Sequence, residues 1–269
     1  MVRLGSYAGG VLILLPPSEG KTAPGRGKPL DLATLAFPSL TAAREQVLDA
    51  LVALCDDDPD KAAATLDVPK SQVDLVTRNA RLRTAPTARA DQVYAGVLYE
   101  ALDMATLSSG AKRRAGRRLA VTSSLFGLVG PADRIPAYRL SGDAVLPGVG
   151  GVAGLWREHL GGAVVEALGD GLLIDLRSSM YAAFWRPPAT LAKRAATVRV
   201  LHEVAGRRQV VSHFNKATKG RVVRALLESG ATPRTPAKLA AVLADLGWTV
   251  EPAAPTPKGT QLDIIVPAL

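Results

Sequence analysis

Val11-Leu12-Ile13-Leu14-Leu15-Pro16-Pro17-Ser18-Glu19-Gly20-Lys21-Thr22 is the stretch around which the rest of the chain can be organised. Five consecutive apolar residues closed by two prolines predict a short strand buried on both faces, the signature of a strand inside a helix-covered sheet. The same run is far too short to cross a bilayer, which takes about 20 residues. Arg3 precedes it, but no small-residue cleavage site follows, so the expectation is a cytoplasmic protein with no membrane contact. Residues 1–10 have no pattern and end in Gly9-Gly10, which predicts a disordered extension ahead of a single domain over residues 11–269.

Working outward, Leu119-Ala120-Val121 and Leu172-Leu173-Ile174-Asp175-Leu176 repeat the pattern of a buried strand. Thr197–Val204 and Arg208–Phe214 read as a strand pair around Gly206-Arg207, and Trp248–Glu251 and Gln261–Val266 as closing strands. Helical spacing marks Thr41–Leu54 with Thr41 as N-cap, Lys61–Leu66, Gln72–Ala80, Val97–Leu107, Gly110–Gly116, Val152–Leu168, Lys216–Ser229 and Thr235–Leu246. Strands and helices alternate without clean strand–helix–strand units. The expected fold class is therefore α/β or α+β, with a mixed central sheet flanked by helices.

The 269 residues are 48% hydrophobic, which excludes intrinsic disorder. A single cysteine, Cys55, excludes a disulfide framework, and His159, His202 and His213 have no short ligand spacing, so no metal site and no cofactor is expected. The formal net charge is +9, and it is uneven. Asp31–Asp60 holds seven acids against Arg44, whereas Leu107–Arg139 holds seven bases against Asp133, and Arg186–Arg224 ten bases against Glu203. Such asymmetry points to a basic surface for a polyanion; solvated charged faces are the competing explanation.

Gly20-Lys21-Thr22 after a buried strand invites comparison with a phosphate-binding P-loop. That motif needs a glycine five residues before Gly20, where this chain has Leu15, and a following helix, which Pro24, Gly25, Gly27 and Pro29 forbid. What survives is a loop leaving the C-terminal end of a strand, where open α/β sheets bind ligands, with Ser18, Lys21 and Thr22 as anion-binding candidates. In Ser212–Arg224, a helical projection sets Lys216 and Lys219 inside the apolar sector of Val222, Val223, Leu226 and Leu227, with Arg221 and Arg224 off it. Cations in a first helical turn oppose the helix dipole by about 0.3–1 kcal/mol each, a cost that a bound anion offsets; snorkelling lysines are the alternative. Tyr94, Tyr138 and Tyr181 read as packing residues, and Asp175 as a lone strand-end carboxylate.

Taken in order, these segments resemble the YaaA family of bacterial peroxide-stress proteins. The resemblance rests on Leu12–Thr22, Val93-Tyr94-Ala95-Gly96-Val97, Leu125–Pro131 followed by Ile135–Leu140, Leu155-Trp156, Ile174-Asp175-Leu176 with Ser178 and Tyr181, and Ser212–Lys216 with Lys219, Gly220 and Arg224. At the first loop the better-known members carry Ser-Pro-Ala-Lys-Thr where this chain has Ser-Glu-Gly-Lys-Thr. The family resemblance implies a compact single-domain α/β fold, protection against peroxide by lowering reactive iron, and DNA binding through a basic cleft and a helix-hairpin-helix; the two basic segments themselves point to double-stranded DNA bound without sequence preference. Lys61–Ala80, with its hairpin at Asp67–Lys70, is the segment matched to that element, though it lacks Gly-x-Gly. DNA contacts are placed on Lys112, Arg113, Arg114, Arg117, Arg118, Arg221 and Arg224. Two functions follow as expectations. One is a non-catalytic DNA-binding stress protein. The other is an enzyme acting on a nucleotide or nucleic acid, with Lys21, Arg139 and Lys216 converging on a phosphate.

Overall fold

A computed structural model of the chain describes residue 7 and residues 10–204 and 207–267, so most of the N-terminal ten residues and Gly206 lie outside it, as do the side chains of Lys70, Val204, Ser212 and His213. The strands are β1 (Val11–Leu15), β2 (Ala88–Arg89), β3 (Leu119–Ser123), β4 (Gly127–Val129), β5 (Arg134–Ile135), β6 (Val145–Leu146), β7 (Gly150–Gly151), β8 (Leu172–Asp175), β9 (Ala195–Val204), β10 (Arg207–Gln209), β11 (Thr249–Pro252) and β12 (Thr260–Pro267). The helices are α1 (Thr41–Asp57), α2 (Pro59–Thr65), α3 (Asp74–Ala80), α4 (Ala90–Val93), α5 (Val97–Leu102), α6 (Ser109–Arg118), α7 (Val152–Leu168), α8 (Ser179–Ala182), α9 (Ser212–Ser229) and α10 (Pro236–Asp245).

The fold is mixed α/β. One eight-stranded sheet runs β11-β12-β9-β8-β1-β3-β4, with β10 paired to β9 beyond the end of β8. The five central strands β12, β9, β8, β1 and β3 are parallel; β11 and β4 close the edges antiparallel. Every residue of β1 and β3 is buried, as continuous apolar strands between two helical layers should be. β1 sits in register with both neighbours, Leu15 opposite Val121 on one side and Leu14 opposite Asp175 on the other. The chain thus leaves β1, returns at β3, then crosses back over β1 to β8. The strand order reverses there, which is where open sheets form a ligand crevice at the carboxyl ends.

Two helix contacts fix the layers. Arg44 of α1, fully buried, donates from Nε to the Phe126 carbonyl and from Nη2 to those of Ala36 and Leu128, tying α1 to the β3–β4 turn. Gly220 lets α9 lie directly on α5: a Cβ there would stand 2.2 Å from the Leu98 carbonyl oxygen.

Several local readings shift. The strand pair around residues 206–207 forms, but Ser212–Phe214 begins α9 instead of extending a strand. The β-branched Val210-Val211 pair misleads, and packing of α9 on α5 decides. Thr41 is the first helical residue, not the cap; its hydroxyl donates back to Pro38 O. Val97–Leu107 is broken at Asp103, which adopts a left-handed φ of 43°. Within the N-terminal stretch, Tyr7 donates its hydroxyl to the Leu119 carbonyl and packs on Phe37. No helix of the described residues is long and apolar enough to cross a membrane.

Candidate functional site

The loop that leaves β1 is held open by specific bonds. Thr22 N–H donates to Val93 O and Lys21 pairs backbone to backbone with Tyr94, so the loop runs alongside the segment before α5. Ser18 Oγ accepts from Ala95 N–H and donates to Gly20 O, while Tyr99 of α5 donates its hydroxyl to Pro16 O. Ser18 is therefore spent on shaping the loop, and Thr22 is exposed.

Lys21 comes out of this loop half-buried. Its Nζ donates to Ser18 O at 2.9 Å and Glu19 O at 3.4 Å, and stands 4.2 Å from the centre of the Tyr138 ring. No described carboxylate forms an ion pair with it. Burial, and then the charge of Arg139, push the ammonium down to about 7, against the opposing pull of Glu19.

Beneath Lys21 lies a chain of buried hydroxyls. Tyr94 and Tyr138 share a hydrogen bond of 3.1 Å, and Tyr138 shares one of 2.7 Å with Ser123 at the end of β3. Ser123 Oγ in turn accepts from Phe126 N–H. Burial raises both phenols well above their ordinary range. The next residue, Ser124, donates to Leu140 O, while its own carbonyl accepts from Trp156 Nε1, so the segment Ala137–Leu140 is bolted to the end of β3. Tyr181 faces the same locus: burial lifts its phenol to about 12, and Ser124, Glu19, Arg139 and Asp143 all act on it.

Arg139 is placed from the other side. The buried Asn79 of α3 grips its backbone, donating from Nδ2 to Arg139 O and accepting from Arg139 N–H. The Arg139 guanidinium itself makes no hydrogen bond or ion pair among the described residues. Next to this segment a groove of about 450 Å³ runs between α3 and the loop, lined by Ala23, Pro24, Thr77, Arg78, Arg81 and Ala137 among others.

At the neighbouring strand end, Asp175 of β8 is buried and takes a two-pronged bond from Arg177, Nε to Oδ1 at 2.9 Å and Nη2 to Oδ2 at 2.7 Å. Arg177 also donates to the carbonyls of Tyr181 and Trp185. Lys219 of α9 reaches in to donate to Leu176 O; burial lowers its pKa while Asp175 opposes that shift.

The edge of the sheet thus gathers Lys21 with Arg139 and, one strand over, Lys219 with Asp175. Lys216 is not among them. It has the right angle on the helix but is exposed, because it sits a turn nearer the helix start than the residues that α9 packs against. The six arginines and one lysine placed on the DNA side divide as well. Arg114 donates to Leu227 O and Glu228 O, Arg118 to Ala231 O, and Arg224 to Leu102 O and Asp103 O, all carbonyls near the ends of helices; Lys112 donates to Ala105 O. Arg113, Arg117 and Arg221 are exposed with no partner among the described residues. The residues missed in the sequence are Ser123, Ser124, Asn79 and Tyr99. Only the proximity of Tyr94 to Gly96 and of Tyr138 to Arg139 in the quoted motifs hinted at this cluster.

A mixed α/β protein whose largely parallel sheet brings Lys21, Arg139 and a buried chain of hydroxyls to its carboxyl edge is the class these features define. The chain belongs to the family described as peroxide stress protein YaaA, whose sequence model matches residues 11–254. It is 52% identical to a UPF0246 protein of Streptomyces coelicolor over 258 residues, which covers 95% of this chain and 98% of that one. A UPF0246 protein of Corynebacterium efficiens is 43% identical over 244 residues, 90% and 95% of the two chains. An uncharacterised Campylobacter jejuni protein is 26% identical over 208 residues, 77% and 81% of the two.

Proposed function

We propose that this peroxide-stress family member binds the phosphates of double-stranded nucleic acid, without reading sequence, along Lys21, Arg139 and Arg81 of the neighbouring groove, where Arg78 is already paired with Asp74, and so limits oxidative damage, including damage from reactive iron. The observation that carries this reading is the pairing of Lys21 with Arg139 where neither has a carboxylate in ion-pair contact. Two such cations repel by about 3 kcal/mol at 6 Å and an effective dielectric near 20, a cost that an anion on the site removes. Exposed Arg113 and Arg117 on α6 and Arg221 on α9 are further candidates for phosphate contact. Phosphate contacts of this kind position a duplex but carry no base readout.

The test is duplex binding at three salt concentrations. Log K should fall with log salt at about −0.9 per phosphate contact. Arg139→Ala and Arg81→Ala should each flatten that slope by about one. A flat response, or slopes that no substitution alters, would end the proposal.

A second reading, an enzyme acting on a phosphorylated ligand, is favoured by one specific observation: Lys21 is held where its amine is half neutral near pH 7, beside a buried hydroxyl chain. Lys216 is exposed on α9 and makes no hydrogen bond or ion pair among the described residues, so the reading rests on Lys21 and Arg139.

A further inference from the structure

Lys21 carries an anomaly that phosphate binding alone does not require. A phosphate contact is served best by an exposed, fully charged amine, as Lys28 or Lys193 would provide. Here the amine is half-buried at the carboxyl end of the central strand, and its surroundings fix its orientation. The Ser18 and Glu19 carbonyls take two of its N–H bonds. The remaining valence is a third proton in the ammonium and the lone pair in the neutral amine. No carboxylate holds it in the charged form, and Arg139 stands close enough to disfavour that form.

We propose that Lys21 is a nucleophile for a phosphate-bearing aldehyde, the phosphate held by Arg139 and the carbonyl carbon attacked by Nζ. This deepens the phosphate-binding reading and rests on it. In the step, the nitrogen lone pair forms the C–N bond as the C=O π bond breaks. The carbinolamine oxygen then leaves as water, taking with it the two protons that nitrogen gives up, and an imine joins Lys21 to the substrate. No oxidant or reductant is consumed. The lowered basicity of Lys21 supports this role, because an ordinary lysine near 10.4 is neutral only about once in 2,500 at pH 7. Two sources offer this chemistry: a free phosphorylated aldehyde, and the sugar aldehyde of an abasic site flanked by backbone phosphates.

Borohydride trapping tests it on the intact protein at pH 7. Pyridoxal 5′-phosphate and a duplex oligonucleotide with one abasic site serve as separate probes, and peptide mass spectrometry locates the reduced adduct. Lys21 should carry at least 10-fold more label than exposed Lys28, Lys61 or Lys193 with at least one probe. Lys21→Arg, which keeps the charge, should lose that label, and Arg139→Ala should reduce it at least 5-fold more for the phosphorylated aldehyde than for unphosphorylated pyridoxal, whose label falls only as far as the loss of the Arg139 charge raises the basicity of Lys21. Label with the small aldehyde alone assigns a metabolite, and label with the abasic duplex assigns nucleic acid. Label spread evenly over surface lysines, or undiminished in Lys21→Arg, overturns the proposal. If salt-dependent duplex binding persists while Lys21 takes no label, the imine is refuted and the phosphate-binding reading stands; if binding is absent as well, both fall.

Discussion

Replacing Lys21 with methionine should make the protein more stable, and the size of the gain should depend on pH. In the folded chain the amine is pushed down to about 7, whereas in the unfolded chain it titrates near the ordinary 10.4. Below pH 7 both states are protonated, and folding carries the full cost of desolvating the charge beside Arg139. Between pH 7 and about 10.4 the unfolded chain binds more protons than the folded one, so native stability rises with pH across that window. At about 1.36 kcal/mol per pKa unit the whole interval corresponds to ~4.6 kcal/mol. Lys21 is only half-buried, and solvent screening reduces that figure; about 2 kcal/mol is the working value. Lys21→Met retains an apolar chain over Tyr138 and loses only bonds to the Ser18 and Glu19 carbonyls, in a loop open to water. Denaturant melts of both proteins at pH 6 and pH 10 measure the effect. The variant should be more stable by about 2 kcal/mol at pH 6, and most of the gain should vanish at pH 10. A variant less stable at pH 6, or a difference independent of pH, would refute the argument that the site is electrostatically strained.

Four further outcomes can be checked by melts and binding. Arg177→Met leaves Asp175 buried without its two-pronged partner and should cost about 3–5 kcal/mol, read as a lower denaturation midpoint. Gly220→Ala forces a methyl group into the Leu98 carbonyl and Ala101, and should cost about 2–3 kcal/mol by prying α9 from α5, also visible as faster amide exchange in both helices. Arg114→Ala and Arg118→Ala remove donors from carbonyls in the last turn of α9 and just beyond it and should lower the melting temperature. Arg113→Ala and Arg117→Ala should leave the melting temperature unchanged while weakening duplex binding.

Much of the fold was legible because its signals are local. An unbroken apolar run stopped by prolines can only be a strand covered on both faces, and β1, β3 and β8 lie where such runs predict them. Gly230, with φ of 71°, ends α9 as a left-handed helix stop should. That the loop after β1 lies at the carboxyl edge of the sheet was legible for the same reason, since only its position after a buried strand was needed. What no window of sequence contains is distance between remote segments. That Tyr94, Ser123 and Tyr138 join hydroxyl to hydroxyl depends on β3 lying in register with β1 and on Asn79 pinning residue 139. Each tyrosine alone reads as a packing residue, which it also is. Charge count likewise cannot tell an arginine that caps a helix from one that faces solvent; Arg114, Arg118 and Arg224 are taken by carbonyls that come near only once α9 packs against α5 and α6. The helical projection gave the angle of Lys216 correctly but not its height relative to the layer beneath. The basicity of Lys21 is the clearest case: the sequence supplied the amine, and the packed Tyr138 ring, its partial burial and Arg139 decided its basicity, because desolvation and Coulomb repulsion exist only between groups that folding brings together.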